Sequence, residues 1–219
     1  AAFEGSIVYA KLGNIWVQRD KDVRQLTDGG GDSMPSWSPD GQSVIFIRSH
    51  DDIGYWPVRG RNGRYDISVP EIMLVKADGS SKPQRLASGL VRRGKLTWAA
   101  WMRQPVLSPD GKTIAMVDPQ DSIQHIVTLP LHGGATGSVK LDRKIDIADL
   151  SWAANGRGWI IVGFEKTGWQ LLSVDLKGKS RALIPPQMWM YSAASSPDGR
   201  WIAFTSNTGE GDVWLLEDF

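Results

Sequence analysis

One turn, Ser-Pro-Asp-Gly, is written three times into this 219-residue chain, each time just ahead of a β-rich run. Ser38-Pro39-Asp40-Gly41 leads into Val44-Ile45-Phe46-Ile47. Ser108-Pro109-Asp110-Gly111 leads into Ile114-Ala115-Met116-Val117. Ser196-Pro197-Asp198-Gly199 leads into Trp201-Ile202-Ala203-Phe204. Ala153-Ala154-Asn155-Gly156, ahead of Trp159-Ile160-Ile161-Val162, is a degenerate fourth copy. Each residue has a job in the turn. Proline presets φ at about −65°, the aspartate carboxylate bonds back onto the turn backbone, and glycine tolerates φ > 0. The runs that follow are β-branched or aromatic, as buried strands prefer. A supersecondary unit repeated in this way dictates the whole fold, and its period says which fold.

Asp110 to Asn155 spans 45 residues and Asn155 to Asp198 spans 43. Repeats of about 40–45 residues with four short strands are propeller blades. Asp40 to Asp110 spans 70 residues, one period plus a surplus that the spacing assigns to loops. The predicted fold is an all-β propeller of about five blades, each of three to four antiparallel strands. Four blades, or an incomplete piece of a six- to eight-bladed ring, are the alternatives. The whole chain, 1–219, reads as one domain with blade units at about 5–27, 36–87, 105–141, 150–184 and 195–219. No amphipathic helix of three turns is legible. The first unit lacks its first strand and the last its fourth, which predicts 18 strands. Because both ends then supply second and third strands, they cannot seal a ring in the usual way. The expectation is a fragment of a longer propeller protein, or closure and self-association through unpaired terminal blades. A small ring sealed by packing of the Ile7–Ala10 and Val213–Leu216 regions is the alternative.

Further markers sharpen the reading. Ile15-Trp16-Val17 is followed by Arg24-Gln25-Leu26-Thr27, and Gln84-Arg85-Leu86-Ala87 echoes the latter. Trp37-Ser38-Pro39-Asp40-Gly41, an apolar strand, an Ile-Trp-Val-type strand and an Arg-Gln-Leu-Thr strand together resemble the repeat of the TolB-type propeller family. The resemblance covers nearly the whole chain. It implies the fold directly and the function only broadly. The family holds the periplasmic TolB protein, which binds envelope partners, as well as gating propellers of serine peptidases and extracytoplasmic domains of membrane proteins. Function therefore has to be argued from sites.

The chemistry in the chain is sparse. A formal net charge of +1 gives no reason to expect nucleic acid or lipid as a partner. Zero cysteines remove disulfides, thiolate nucleophiles and Cys-based metal sites. No apolar run of the length that spans a bilayer, about 18 residues or more, occurs in the chain. No Gly-x-Ser-x-Gly elbow occurs. His50, His125 and His132 form no nucleophile or metal motif, and His125 opens an apolar strand as a structural residue. Gly178-Lys179-Ser180 mimics the end of a phosphate loop, but Ser173 stands where that loop needs glycine, so a hairpin turn is expected. Asp142, Asp146 and Asp149 lack the glycine and terminal glutamate of a calcium loop. Asp40, Asp110 and Asp198 recur with the repeat, so they are turn residues rather than catalytic carboxylates. Of eleven tryptophans, Trp37, Trp152, Trp201 and Trp214 fall at repeat positions and read as blade packing.

Two insertions stand outside the repeat, both in the second blade unit. Ser49–Pro70 carries Tyr55, Trp56, Arg59, Arg61 and Tyr65; Ser88–Gln104 carries Arg92, Arg93, Trp98 and Trp101. Arginine interleaved with aromatics is the composition of binding hot spots. These nine residues are the expected partner- or ligand-binding site, weighed against a long hairpin and a crossover that merely pack on each other. The function expected is a non-enzymatic interaction or sensing propeller with no cofactor. Its setting is periplasmic or extracellular in a bacterial envelope, with a cytoplasmic one as the alternative, and its partner is another protein. The alternative function is a propeller that binds a small ligand, such as a sugar or peptidoglycan fragment, in its channel or insertion rim. A hydrolase or lyase ranks below both.

Overall fold

The computed structural model describes residues 5–58, 61–88, 105–117, 125–131, 135–187, 189–207 and 211–217; the side chains of 50–70, 88, 207, 211–214 and 216–217 are not described. Arg59, Arg92, Arg93, Trp98 and Trp101 lie outside these residues. The described residues are strands and turns without a helix, grouped in five antiparallel sheets. The fold is an all-β propeller, and the chain divides into two compact units, Ala1–Gly94 and Lys95–Phe219.

The first unit holds two sheets. One is β1 (Ser6–Lys11), β2 (Asn14–Arg19) and β3 (Asp22–Gln25), in that order. The other is β4 (Asp32–Trp37), β5 (Ser43–Val58), β6 (Arg61–Lys76) and β7 (Gln84–Ser88). The second unit holds three. They are β8 (Val106–Leu107) to β11 (Gly137–Lys140) by way of β9 (Thr113–Val117) and β10 (His125–Pro130); β12 (Asp146–Trp152), β13 (Gly158–Glu165), β14 (Gly168–Asp175) and β15 (Ser180–Ala182); and β16 (Met190–Ser195), β17 (Trp201–Asn207) and β18 (Gly211–Glu217). Every sheet is a meander in sequence order, so each strand pairs with its chain neighbour.

The repeated turn is built alike wherever it is written in full. The Ser38 carbonyl accepts from the Gly41 amide at 2.8 Å, and the Ser38 hydroxyl donates to Asp40 Oδ1 at 2.5 Å while accepting from the Ser43 amide at 2.9 Å. Asp40 Oδ1 also accepts from the Gln42 amide at 3.0 Å. The same set recurs around Ser108–Asp110 and Ser196–Asp198. Gly41, Gly111 and Gly199 sit at φ of 66°, 69° and 71°, as the sequence predicts. In the fourth copy Ala153 replaces the serine. Asn155 still accepts from the Arg157 amide at 2.8 Å, but the hydroxyl relay is gone. Serine and backbone N–H groups hold Asp40, Asp110 and Asp198 below the usual carboxylate range, the serine hydroxyl being the larger cause. These are structural carboxylates.

Burial follows strand alternation. In the first unit Ile15, Val17, Val44, Phe46, Met73 and Val75 form one core between the two sheets. In the second unit β13 is buried on both faces. Trp159 and Ile161 join Ile126, Leu141 and Leu172 in one cluster, while Ile160 and Val162 join Met190, Ile202 and Phe204 in another. Each such side chain contributes about 1.5–3 kcal/mol when buried. A bidentate ion pair also locks β4 to β5. Arg48 Nε lies 2.6 Å from Asp32 Oδ1 and Nη2 lies 2.8 Å from Oδ2, with the Asp32 side chain fully buried. That hydrogen-bonded carboxylate raises the Arg48 pKa further.

One expectation is corrected. The surplus at 49–70 is not a loop but the long hairpin weighed as the alternative, while 89–104 lie outside the described residues. β5 and β6 run on as one continuous ladder from Ser43↔Lys76 out to Val58↔Arg61, 16 residues to a strand. Once the ladder has started, each further pair satisfies backbone groups that a loop would leave to water.

Candidate binding surfaces

Four aromatic side chains gather on the surface of the second unit. Phe164 and Trp169 face each other across the β13–β14 hairpin as a paired position, their ring centroids 5.7 Å apart and edge-on. The hairpin closes at Glu165↔Gly168, and Gly168 takes a φ of 120° that favours glycine. Trp169 then anchors the incoming chain: its amide donates to the Gln187 carbonyl at 3.0 Å and its carbonyl accepts from the Gln187 amide at 2.9 Å. That bridge carries Trp189 and Tyr191 alongside, with centroids 6.0 and 6.4 Å from Trp169. Ser206 Oγ donates to the Trp189 carbonyl at 3.2 Å and fixes it from β17. Trp169, Leu183 and Ile184 pack on the buried cluster below.

Three of the four rings remain open to solvent: Phe164 is 50% exposed, Trp189 48% and Tyr191 55%. Half-exposed aromatic rings set side by side make a contiguous apolar patch, the kind of surface that marks an interaction site. At its margin Arg143 Nη1 and Glu165 Oε1 neutralise each other at 3.3 Å. The rings form an apolar surface bordered by charged residues, Asp146 standing opposite Phe164, with indole N–H and phenol O–H groups able to orient a ligand.

Two clefts lie beside the repeated turns. In the first unit a cleft of about 460 Å³ is floored by Trp37, Val17 and Ala77 and lined by Arg19, Arg24 and Lys76. In the second unit a cleft of about 670 Å³ is floored by Trp152, Trp159 and Val139 and lined by Thr113, Thr128 and Leu176. The Trp152 indole N–H donates to the Val106 carbonyl at 3.1 Å, and the Trp152 ring lies 5.1 Å from that of Trp159.

The residues expected from sequence to bind a partner fall as follows. The backbones of Tyr55, Trp56, Arg61 and Tyr65 all sit on the outer part of the β5–β6 hairpin, in the pairs Tyr55↔Arg64, Trp56↔Gly63, Gly54↔Tyr65 and Val58↔Arg61. Their side chains, and all of Arg59, Arg92, Arg93, Trp98 and Trp101, lie outside the described residues. His125 sits on β10 opposite Lys140. The aromatic cluster was missed by sequence reading. Its signal is that Phe164, Trp169, Trp189 and Tyr191 all stand outside the repeat's tryptophan positions.

Repeated meanders of three or four antiparallel strands carrying the Ser-Pro-Asp-Gly turn are the blades of a β-propeller, and the fold is similar to that of TolB. TolB from Acinetobacter baumannii superposes with a TM-score of 0.69 at 17% identity, covering 97% of this chain and 50% of that one. A putative TolB from Agrobacterium tumefaciens gives 0.60 at 22% identity, covering 90% of this chain and 62% of that one. The fold is shared with a nidogen/laminin complex, at a TM-score of 0.62, 12% identity, and coverage of 97% and 74%. Among curated proteins, the uncharacterized peptidase YuxL of Bacillus subtilis (strain 168) is 23% identical over 209 residues, 91% of this chain and 26% of that protein. This chain thus spans a quarter to a half of the first of these relatives. No protein-family model matches it. No helix among the described residues is long and apolar enough to cross a membrane.

Proposed function

We propose that the chain is a non-enzymatic interaction propeller of the bacterial envelope, working outside the cytoplasm, whose blade units from 5–27 to 195–219 act as one domain. The observation that carries this is the exposed cluster of Phe164, Trp169, Trp189 and Tyr191. Its partner is a protein presenting an uncharged apolar or proline-bearing segment. The paired Arg143 and Glu165 neutralise each other at its margin, and aromatic-lined surfaces suit extended apolar segments. The TolB-type propellers that the repeat resembles support an envelope setting and a role in binding. The inserted hairpin, with Tyr55, Trp56, Arg61 and Tyr65, is a second surface for the same partner. Arg59, Arg92, Arg93, Trp98 and Trp101 are proposed to extend it.

The test is site-specific photocrosslinking in cells, with the crosslinker at Tyr191 and, as a control, at exposed Leu12. A discrete protein adduct from 191 that disappears in the Trp169→Ala background supports the reading. Identical adducts at both positions, or none at 191, refute it. Labelling of the purified chain by a fluorophosphonate would refute the non-enzymatic part, because such a probe reports an activated serine.

A further inference from the structure

The two clefts occupy the same place in the repeat, which makes one a control for the other. Trp37 and Trp152 each precede the repeated turn, and Gly41 and Gly156 each close it. The strand registers extend the match. Ser6 pairs with Arg19, as Thr113 pairs with Pro130. Val17 pairs with Arg24, as Thr128 pairs with Gly137. Ser43 pairs with Lys76, as Gly158 pairs with Asp175. At each position where the first cleft carries a cation, the second carries proline, glycine or aspartate. The frame folds without those cations, so turn and packing do not explain them.

Nor are their charges fully spent within the protein: Lys76 attracts the Asp40 and Asp78 carboxylates through space but forms no ion pair with either. Among the described residues no carboxylate lies within ion-pair distance of Arg19, Arg24 or Lys76. Arg19 Nε donates to Ser6 Oγ at 3.0 Å, and Arg24 Nη1 donates to the Asp78 carbonyl; both bonds aim the guanidinium groups and leave further N–H groups free. Asp78 is held in its own turn, accepting from the Ser80 amide at 2.8 Å, and Asp22, also at the cleft, pairs with none of the three. Three cations outside any ion pair, against the two carboxylates of Asp22 and Asp78, leave the lining net positive around a tryptophan floor, an anion site with an apolar base.

We infer that this cleft binds an acidic peptide segment, with carboxylates on Arg19, Arg24 and Lys76 and side-chain methylenes on Trp37, Val17 and Ala77. The site is separate from the aromatic surface and does not rest on it. Neighbouring carboxylates of a peptide match cations carried on three different strands, and Ser6, Gln42 and Ser80 can bond its backbone.

The test is fluorescence anisotropy of labelled hexaglutamate on the intact chain at low salt. Saturable binding is expected, weakening as salt rises through the screening range. The Arg19→Gln/Lys76→Gln variant should weaken it at least about tenfold, the loss of roughly 1.4 kcal/mol, with an unchanged melting temperature. Thr128→Val, in the matching second cleft, should leave it unchanged. Trp189→Ser/Tyr191→Ser should also leave it unchanged, which separates this site from the aromatic one. The inference is overturned by no binding, by equal binding to the double glutamine variant, by equal binding of hexaglutamine, or by competition from inorganic phosphate at concentrations equal to the peptide's.

Discussion

Gly178→Ala and Gly111→Ala should differ sharply, although both glycines close turns at positive φ. Gly111 sits at 69°, and a Cβ added there meets nothing within 4 Å. Gly178 sits at 84°, and a Cβ there would lie 2.0 Å from the Lys140 carbonyl oxygen and 2.8 Å from its carbon. At Gly111 only the left-handed backbone is penalised, by about 1–2 kcal/mol. Reduced freedom of the unfolded chain offsets about 0.4–1 kcal/mol of that. The expected net loss is about 1 kcal/mol. At Gly178 the same strain applies, and the chain must also move by more than about 1 Å to bring carbon and oxygen to contact distance. That movement breaks the bond from the Asp142 amide to the Gly178 carbonyl, at 2.9 Å, and disturbs the Ser180–Asp142 bonds that join β15 to the connection after β11. Each lost bond adds about 1 kcal/mol, so Gly178→Ala should cost about 3 kcal/mol or more. Urea unfolding followed by tryptophan fluorescence measures both, provided the slopes agree. If Gly178→Ala falls within about 0.5 kcal/mol of Gly111→Ala, the close approach of the two backbones does not hold the turn and the reasoning fails.

Asp32→Ala should destabilise by about 3 kcal/mol or more, because it leaves Arg48 largely buried without its bidentate carboxylate; thermal melting checks it, and Asp32→Ala/Arg48→Met should recover part of the loss. Asp149→Ala strips the Ala193 amide of its acceptor at 2.9 Å and should cost about 1–3 kcal/mol, read in the same melts. Acid should weaken the turns. Asp40, Asp110 and Asp198 have depressed folded pKa values, so their contribution is complete above the ordinary carboxylate pKa and is lost as pH falls from there towards the folded values. Ser108→Ala should flatten that acid limb in melting temperature against pH, and an unchanged limb would refute the assignment.

The fold was legible because its signal is local. A serine, a proline, an aspartate and a glycine specify one turn through bonds made within five residues, and the period then counts the blades. Even the failed copy is informative: Ala153 removes the hydroxyl, yet Gly156 keeps its φ of 67°, so glycine and Asn155 suffice for the turn. The inserted hairpin was legible only as one of two alternatives. Pro57, Asn62 and Gly63 are turn-formers by propensity, and a ladder propagating from Ser43↔Lys76 overrides them. Burial was not legible either. Trp159 and Trp189 look alike in sequence, but one is wholly buried and the other half exposed, because only the packing of β13 against its neighbours on both faces decides it.

The repeat also separates structure from function within the chain. A residue that recurs at one register position in several blades answers to the frame, as the turn aspartates do. A residue that departs from its counterparts at the same position, with no ion pair inside the protein, answers to something outside it. Arg19 and Lys76, which hold the same register position in two sheets of the first unit, meet that criterion against Pro130 and Asp175, whereas Arg24 has Arg181 as its counterpart in β15 and departs only from Gly137. The rule carries its own check. Arg19→Pro and Arg24→Gly would import strain or lose strand propensity along with the charge, so neither separates the two roles. Lys76→Asp does, since aspartate already fills the matching place in β14 and makes the turn bonds there, Asp175 Oδ1 accepting from the Lys177 and Lys179 amides at 2.9 Å. Lys76→Asp should therefore fold with a melting temperature within a few degrees of the parent while abolishing hexaglutamate binding. A large loss of stability would show that Lys76 serves the frame, and retained binding would show that the cleft does not use its charge.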